Sequence, residues 1–188
     1  MDICKLKWTR LQAMLIRLFC IKAGQKLSLR EIARRLKVSP TAVSNALYNL
    51  KKDDLIVITK SSTMNLLSIE LNRSNHRAVQ LKRVENLKLI YDSGLSDFLY
   101  EENPGCSIIL FGSYSKGEDV SFGENDEKSS DIDIAIIGKA PKASELSKFE
   151  KMLERKILIN YYPSWKDIHK HLKENILNGI LLGGGVEL

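Results

Sequence analysis

Cysteine, histidine and long apolar runs are all scarce in this 188-residue chain, and each scarcity closes a class of function. Its three cysteines, Cys4, Cys20 and Cys106, are odd in number and have no CxxC spacing, and two lie inside apolar periodic runs. That pattern leaves reduced thiols or small core residues in a cytoplasmic protein, not a disulfide framework. Three histidines make no metal cluster, since His169 and His171, two apart on an expected helix, point to different faces. No run is long enough to span a bilayer. The most apolar stretch, Leu11 to Ile21, is interrupted by Arg17, so no membrane partner is expected. The start also lacks the continuous apolar segment and small-residue cleavage site of a signal peptide.

What is present is a mixture of 28% charged and 44% hydrophobic residues, enough for a real core without staples. The length suits one medium domain or two small ones, and the charge favours two. Residues 1–73 carry 14 Lys and Arg against 5 Asp and Glu, whereas residues 74–188 carry 15 against 18. A basic front beside an acidic remainder suits one part that meets a polyanion and another that holds cations, although solvated surface lysines give the same tally.

At the front, Ser28-Leu29-Arg30-Glu31 fits a capping box, and Leu29, Ile32, Ala33 and Leu36 recur at one-face helical spacing. Ser39 and Pro40 start a second helix at once. Its buried stripe is Val43, Ala46, Leu47 and Leu50; the opposite face carries Thr41, Ser44, Asn45, Tyr48 and Lys52. Small hydroxyl and amide groups let such a helix approach base edges in the major groove, with Arg30, Arg34, Arg35, Lys51 and Lys60 for phosphates. Leu55 to Ile58 and Leu66 to Leu71 flank the polar Lys60 to Asn65 as a β-hairpin, or wing. Residues of about 9 to 72 thus resemble the winged helix-turn-helix domains of prokaryotic transcription regulators, with the likeness carried by Leu29 to Leu47. The resemblance implies duplex DNA as a partner; the same fold also serves structural or dimerising roles.

Asn75 to about Tyr100 has helical periodicity, with Val79, Val84, Leu87, Ile90, Tyr91, Leu95, Phe98 and Leu99 as its apolar stripe and Gly94 placed to end or break it. This connector is either a spacer packed on one side or a face that pairs with a second chain, a homodimer matching paired DNA half-sites. Asn103-Pro104-Gly105 is a turn. The division is therefore a domain at 1–73, a connecting segment at 74–104 and a second domain at 105–188.

In that second domain, Ile108 to Phe111 has the unbroken apolar pattern of a strand buried on both faces. Gly112 and Ser113 follow, able to bring backbone donors close to a phosphate. Beyond a polar loop, Asp131-Ile132-Asp133-Ile134 starts a strand whose isoleucines face one way and whose carboxylates face the other. Two adjacent carboxylates repel unless a cation offsets them. Phe111 to Glu118 together with Ser130 to Ile134 look like the signature of the DNA polymerase β nucleotidyltransferase superfamily, especially its minimal MNT-type members. That likeness implies an α+β fold: a winged helix-turn-helix followed by a small mixed β-sheet domain flanked by helices. It implies that Gly112 and Ser113 hold the phosphates of ATP or another NTP, and that Asp131 and Asp133 bind Mg²⁺ or Mn²⁺ and are the catalytic pair; Lys116 is either a further phosphate contact or a solvated loop lysine. A protein acceptor such as a HEPN-type partner is implied by the resemblance alone.

Two features depart from the family pattern. The loop from Tyr114 to Ser130 is long, acidic and expected to be mobile, with Glu118, Asp119, Glu124, Asp126 and Glu127. The later strand, Lys156 to Tyr162, has no acid where the family carries a third carboxylate; Asn160 is the nearest substitute, a weak metal ligand and no base. After it, Ser164-Trp165-Lys166-Asp167 opens a last helix with Ile168, Leu172, Ile176 and Leu177 as its packing face, and the tail from Gly179 gives a short apolar strand. The sequence thus predicts a metal-dependent nucleotidyltransferase that moves an NMP, AMP above others, to a hydroxyl and is fused to a DNA-binding domain. The alternative is a DNA-binding regulator whose nucleotidyltransferase-like domain senses nucleotide without turnover.

Overall fold

The computed structural model describes residues 8–60, 67–122, 129–138 and 145–186. It divides into two compact units, Met1–Val79 and Gln80–Leu188.

The first unit opens with α1 (Arg10–Ile21), started by a capping box in which Thr9 Oγ1 accepts from the Gln12 N–H and the Gln12 side chain accepts from the Thr9 N–H. A two-residue strand β1 (Leu27–Ser28) leads into α2 (Leu29–Leu36), α3 (Pro40–Lys52), β2 (Ile56–Lys60) and β3 (Leu67–Leu71). The three strands form an antiparallel sheet in the order β1-β3-β2. At the start of α2, Ser28 Oγ accepts from the Glu31 N–H at 3.2 Å, while the Glu31 carboxylate accepts from Arg35 at 3.0 Å. The chain turns between α2 and α3 at Lys37, whose φ of 55° reverses its direction. Ser39 then caps α3 through Ala42, with Pro40 in the first helical turn. Leu15, Phe19, Ile32, Val43, Leu50 and Ile69 are buried together as the core, giving a winged helix-turn-helix. Strand β1 escaped sequence reading because two residues show no period. The wing tip expected at Lys60 to Asn65 falls, beyond Lys60, outside the described residues.

The second unit is built on α4 (His76–Asp92, which begins in the first unit), α5 (Leu95–Glu102), β4 (Ser107–Phe111), α6 (Gly112–Lys116), β5 (Ile132–Ile137), α7 (Ser147–Leu153), β6 (Ile157–Tyr162), α8 (Lys170–Leu177) and β7 (Ile180–Gly183). The sheet runs β6-β5-β4-β7, with β5 and β6 parallel and the other pairs antiparallel, a mixed sheet as expected. Ile132, Ile134 and Ile136 are wholly buried on one face of β5. On the other, Ile109, Phe111, Ala135 and Ile137 pack with Ile168 and Ile176, so α8 covers that face beyond the paired aspartates. Among the described residues no helix is long and apolar enough to cross a membrane.

Several local expectations change. On α4 the expected stripe members Val84 and Tyr91 are exposed, at 63% and 49%, and the buried side includes Lys82 and Asn86. The helix looked mis-phased because two of its inward residues are polar. The last helix is split into a 3-10 turn (Trp165–Asp167) and α8, and Leu177 faces out at 42% exposure. His169 precedes α8 in a non-helical conformation, which brings its ring centroid to 5.6 Å from that of His171 instead of onto another face.

Candidate functional site

The register of β4 against β5 sets Asp133 opposite Phe111, the residue before Gly112. Gly112 has φ +74°, and a Cβ built on it would lie 2.5 Å from Oδ2 of Asp133, so the carboxylate occupies the space that a side chain at 112 would need. From there the chain enters α6, whose N-cap residue Phe111 supplies no side-chain cap, leaving first-turn N–H groups such as that of Ser113 without an intrahelical partner. Ser115 Oγ donates back to the Gly112 carbonyl at 2.8 Å, and the Glu118 N–H donates to the Ser113 carbonyl at 3.0 Å, closing the turn. Backbone donors and a carboxylate thus meet at one glycine.

Asp133 is in β5 and Asp131 immediately precedes that strand, near enough for its charge to act on Asp133. The Asp133 carboxyl is pushed above the ordinary Asp range, first by burial and second by the neighbouring Asp131 charge. A divalent cation reverses both penalties. Two carboxylates beside a backbone turn are a donor set that Mg²⁺ could use, since it takes one or two carboxylates and completes its shell with substrate oxygens and water. Among the described residues no group of three or more His, Cys, Asp or Glu is disposed to hold a metal.

The in-register pairing of β5 with β6 puts Leu158 alongside Asp133 and Asn160 alongside Ala135. Asn160 therefore shares the aspartate face but stands one same-face step beyond Asp133, and the neighbouring position holds a half-exposed leucine. Lys116 lies at the end of α6, exposed, with Nζ 3.5 Å from Oδ1 of Asn175 on α8.

Sequence reasoning missed a buried polar cluster behind α6. Asp119, taken there as part of a mobile acidic loop, is fully buried and paired with Lys82 and Arg155, whose NH2 is 3.2 Å from Asp119 Oδ2. Asn86 Nδ2 donates to the Tyr114 carbonyl at 2.9 Å and to Asp119 Oδ1 at 2.7 Å. A readable signal existed: Lys82 and Asn86, at i and i+4, interrupt the apolar side of α4. Glu124, Asp126 and Glu127 lie outside the described residues, as does Cys4; Cys20 and Cys106 are buried.

In the first unit, Thr41, Ser44, Asn45, Tyr48 and Lys52 all face outward from α3, with Tyr48 70% exposed. Arg30 and Arg34 are exposed on α2, and Lys60 is exposed at the end of β2.

Residues 93–182 match the family model described as Nucleotidyltransferase domain. This region of the chain is similar to nucleotidyltransferase domains. The match takes in the Gly112 turn, the paired aspartates and β6. Similar curated proteins include "Bifunctional purine biosynthesis protein PurH" of Clostridium botulinum (strain Hall), 26% identical over 186 residues, covering 90% of this chain and 36% of that protein. A protein of the same name from Clostridium kluyveri is 28% identical over 156 residues, covering 77% and 30%. The chain spans about a third of the length of these relatives. Among solved structures, the adhesin competence repressor AdcR of Streptococcus pyogenes is similar with TM-score 0.41 and 22% identity, covering 51% of this chain and 68% of that one. ZitR of Lactococcus lactis in complex with DNA gives TM-score 0.38 and 24% identity, covering 55% and 65%.

Proposed function

We propose that the nucleotidyltransferase domain binds a nucleoside triphosphate, ATP above others, with a divalent cation and transfers its nucleoside monophosphate to a hydroxyl, while the winged domain binds duplex DNA. The observation that supports this most is the seating of the Asp133 carboxylate against Gly112, which brings a backbone turn with free donors up to a carboxylate. In this reading the Ser113 N–H and the Gly112 backbone hold phosphate oxygens, and Lys116 adds a positive charge. Asp131 and Asp133 would hold Mg²⁺ or Mn²⁺, which when bound neutralises phosphate charge. The acceptor oxygen forms a bond to the α-phosphorus in line with the departing bridging oxygen, and pyrophosphate leaves with the displaced electron pair. Asn160 has no basic group to take the hydroxyl proton, which in this reading passes to solvent water as the bond forms. A HEPN-type acceptor rests on resemblance alone.

The placement of Leu158 beside Asp133 favours a second reading, a DNA-binding regulator that senses nucleotide without turnover. Incubation with labelled ATP, Mg²⁺ or Mn²⁺ and protein or small-molecule acceptors separates the two. Label transfer that disappears in Asp131→Ala/Asp133→Ala supports the enzyme; binding that disappears in that variant, with no transfer, supports the sensor. No nucleotide binding at all defeats both.

A further inference from the structure

We propose that Asn86 and Asp119 are positioning residues that hold the Gly112-Ser113 turn and the Asp131 strand end in register for nucleotide binding; this rests on the nucleotide reading above. Asp119 lies between the two limbs of the site. Toward the turn, Asn86 Nδ2 links the Tyr114 carbonyl of α6 to Asp119 Oδ1, and Lys82 Nζ donates to Asn86 Oδ1 at 3.2 Å and pairs with Asp119. Toward the aspartates, the residue after Asp119 forms a two-way link: the Val120 N–H donates to Ser130 Oγ at 3.1 Å and the Ser130 N–H donates to the Val120 carbonyl at 2.9 Å. Ser130 immediately precedes Asp131. On the third side, Arg155 grips Asp119 Oδ2, and the carbonyl of the next residue, Lys156, accepts from the Ile132 N–H at 2.8 Å.

Lys82, Asp119 and the Arg155 side chain are almost wholly buried, at 1%, 0% and 2% exposure. A buried ionic cluster is an inefficient source of stability, because apolar residues of the same volume often do as well. What apolar packing lacks is direction. Each of these bonds fixes an angle as well as a distance, and together they tie α4, α6, the segment before β5 and the entry to β6 to one carboxylate. Gly112 and Asp133 meet closely enough that a small shift of α6 against β5 would change the opening between them.

The test uses the full chain, Mg²⁺ with ATP as the probe, calorimetric titration, and amide hydrogen exchange without nucleotide. Asn86→Ala removes the link to Tyr114 but leaves Asp119 between its two cations. It is expected to fold, to lose about tenfold or more in Mg·ATP affinity, as displaced binding groups do, and to exchange faster at residues 113–116 and 130–132 than the parent. Residues 108–110 and 134–136 should keep their protection. Arg155→Lys, which retains the charge, should give the same pattern more weakly and serves if Asn86→Ala fails to fold. Leu89→Ala, an apolar truncation on the same helix, should lower the melting temperature with affinity unchanged. The proposal is overturned if folded Asn86→Ala and Arg155→Lys keep parental affinity and exchange, or if Leu89→Ala loses affinity as much as they do. Should the parent itself bind no Mg·ATP, the nucleotide reading falls, and unchanged exchange at 113–116 and 130–132 would separately sink the positioning claim.

Discussion

Gly112 and Asp133 compete for one space: a methyl group at 112 would stand 2.5 Å from Oδ2 and 3.3 Å from Cγ of Asp133. Gly112→Ala therefore meets two penalties, a left-handed backbone worth about 1–2 kcal/mol and a forced displacement of the carboxylate. The variant is expected to remain folded but to bind Mg·ATP at least about tenfold more weakly, since misplacing a binding group by an ångström is that costly. Titration calorimetry reads this directly. Parental affinity would show that the close approach has no part in binding.

Asp133 carries a second consequence in its charge. Its folded-state pKa is raised, by burial first and by Asp131 second. The folded protein then binds a proton more tightly than the unfolded chain, and stability falls as pH rises from the ordinary Asp range through the raised value. Asp133→Asn removes that penalty. Because the carboxyl is only half-buried and solvent screens it, the gain without divalent cations is small, a rise of roughly 1–3 °C in melting temperature at about neutral pH. It should vanish below the ordinary Asp range, and Mg²⁺ with ATP should reverse its sign by favouring the native carboxylate. Thermal melts in EDTA at acid and neutral pH check it; a variant less stable than the parent throughout would contradict it.

The sheet and the two faces of β5 were legible because their physics is local. Alternation at Asp131 to Ile137 fixes both faces of β5, and the run before Gly112 fixes a strand buried on both. The phase of α4 was not, because Lys82 and Asn86 turn inward toward an acid 33 or more residues away, and one-dimensional periodicity counts only apolar residues. For the same reason Asp119 looked like loop charge. Its partners Lys82 and Arg155 lie on elements that only the fold brings together, whereas the cap of α3 by Ser39 spans three residues and could be read off directly.

The outward face of α3 yields a separable pair of effects. Lys52→Ala should weaken duplex binding about equally for all sequences and reduce the slope of log affinity against log salt by about 1, the behaviour of a phosphate contact. Asn45→Ala should leave the slope unchanged and relax preference at one base position by roughly 1–3 kcal/mol. Gel-shift titrations over a salt series with a randomised duplex pool measure both. Indifference of the parent to DNA at low salt would remove this role.

Strand β6 permits a test of where a third metal ligand belongs. In-register parallel neighbours point to the same face about 4.8 Å apart, which sets the side chain at 158 beside Asp133 and that at 160 one step farther on. Leu158 is 47% exposed, so an acid there costs little burial. Leu158→Asp is therefore expected to tighten Mn²⁺ binding in the presence of ATP by roughly tenfold, through an added charged oxygen ligand. Asn160→Asp should do less, and Asn160→Ala little, if the cation sits between Asp131 and Asp133. Paramagnetic titration of Mn²⁺ reports all three. A larger gain from Asn160→Asp than from Leu158→Asp would move the cation up the strand toward Ala135 and make the Asn160 amide oxygen its native third ligand.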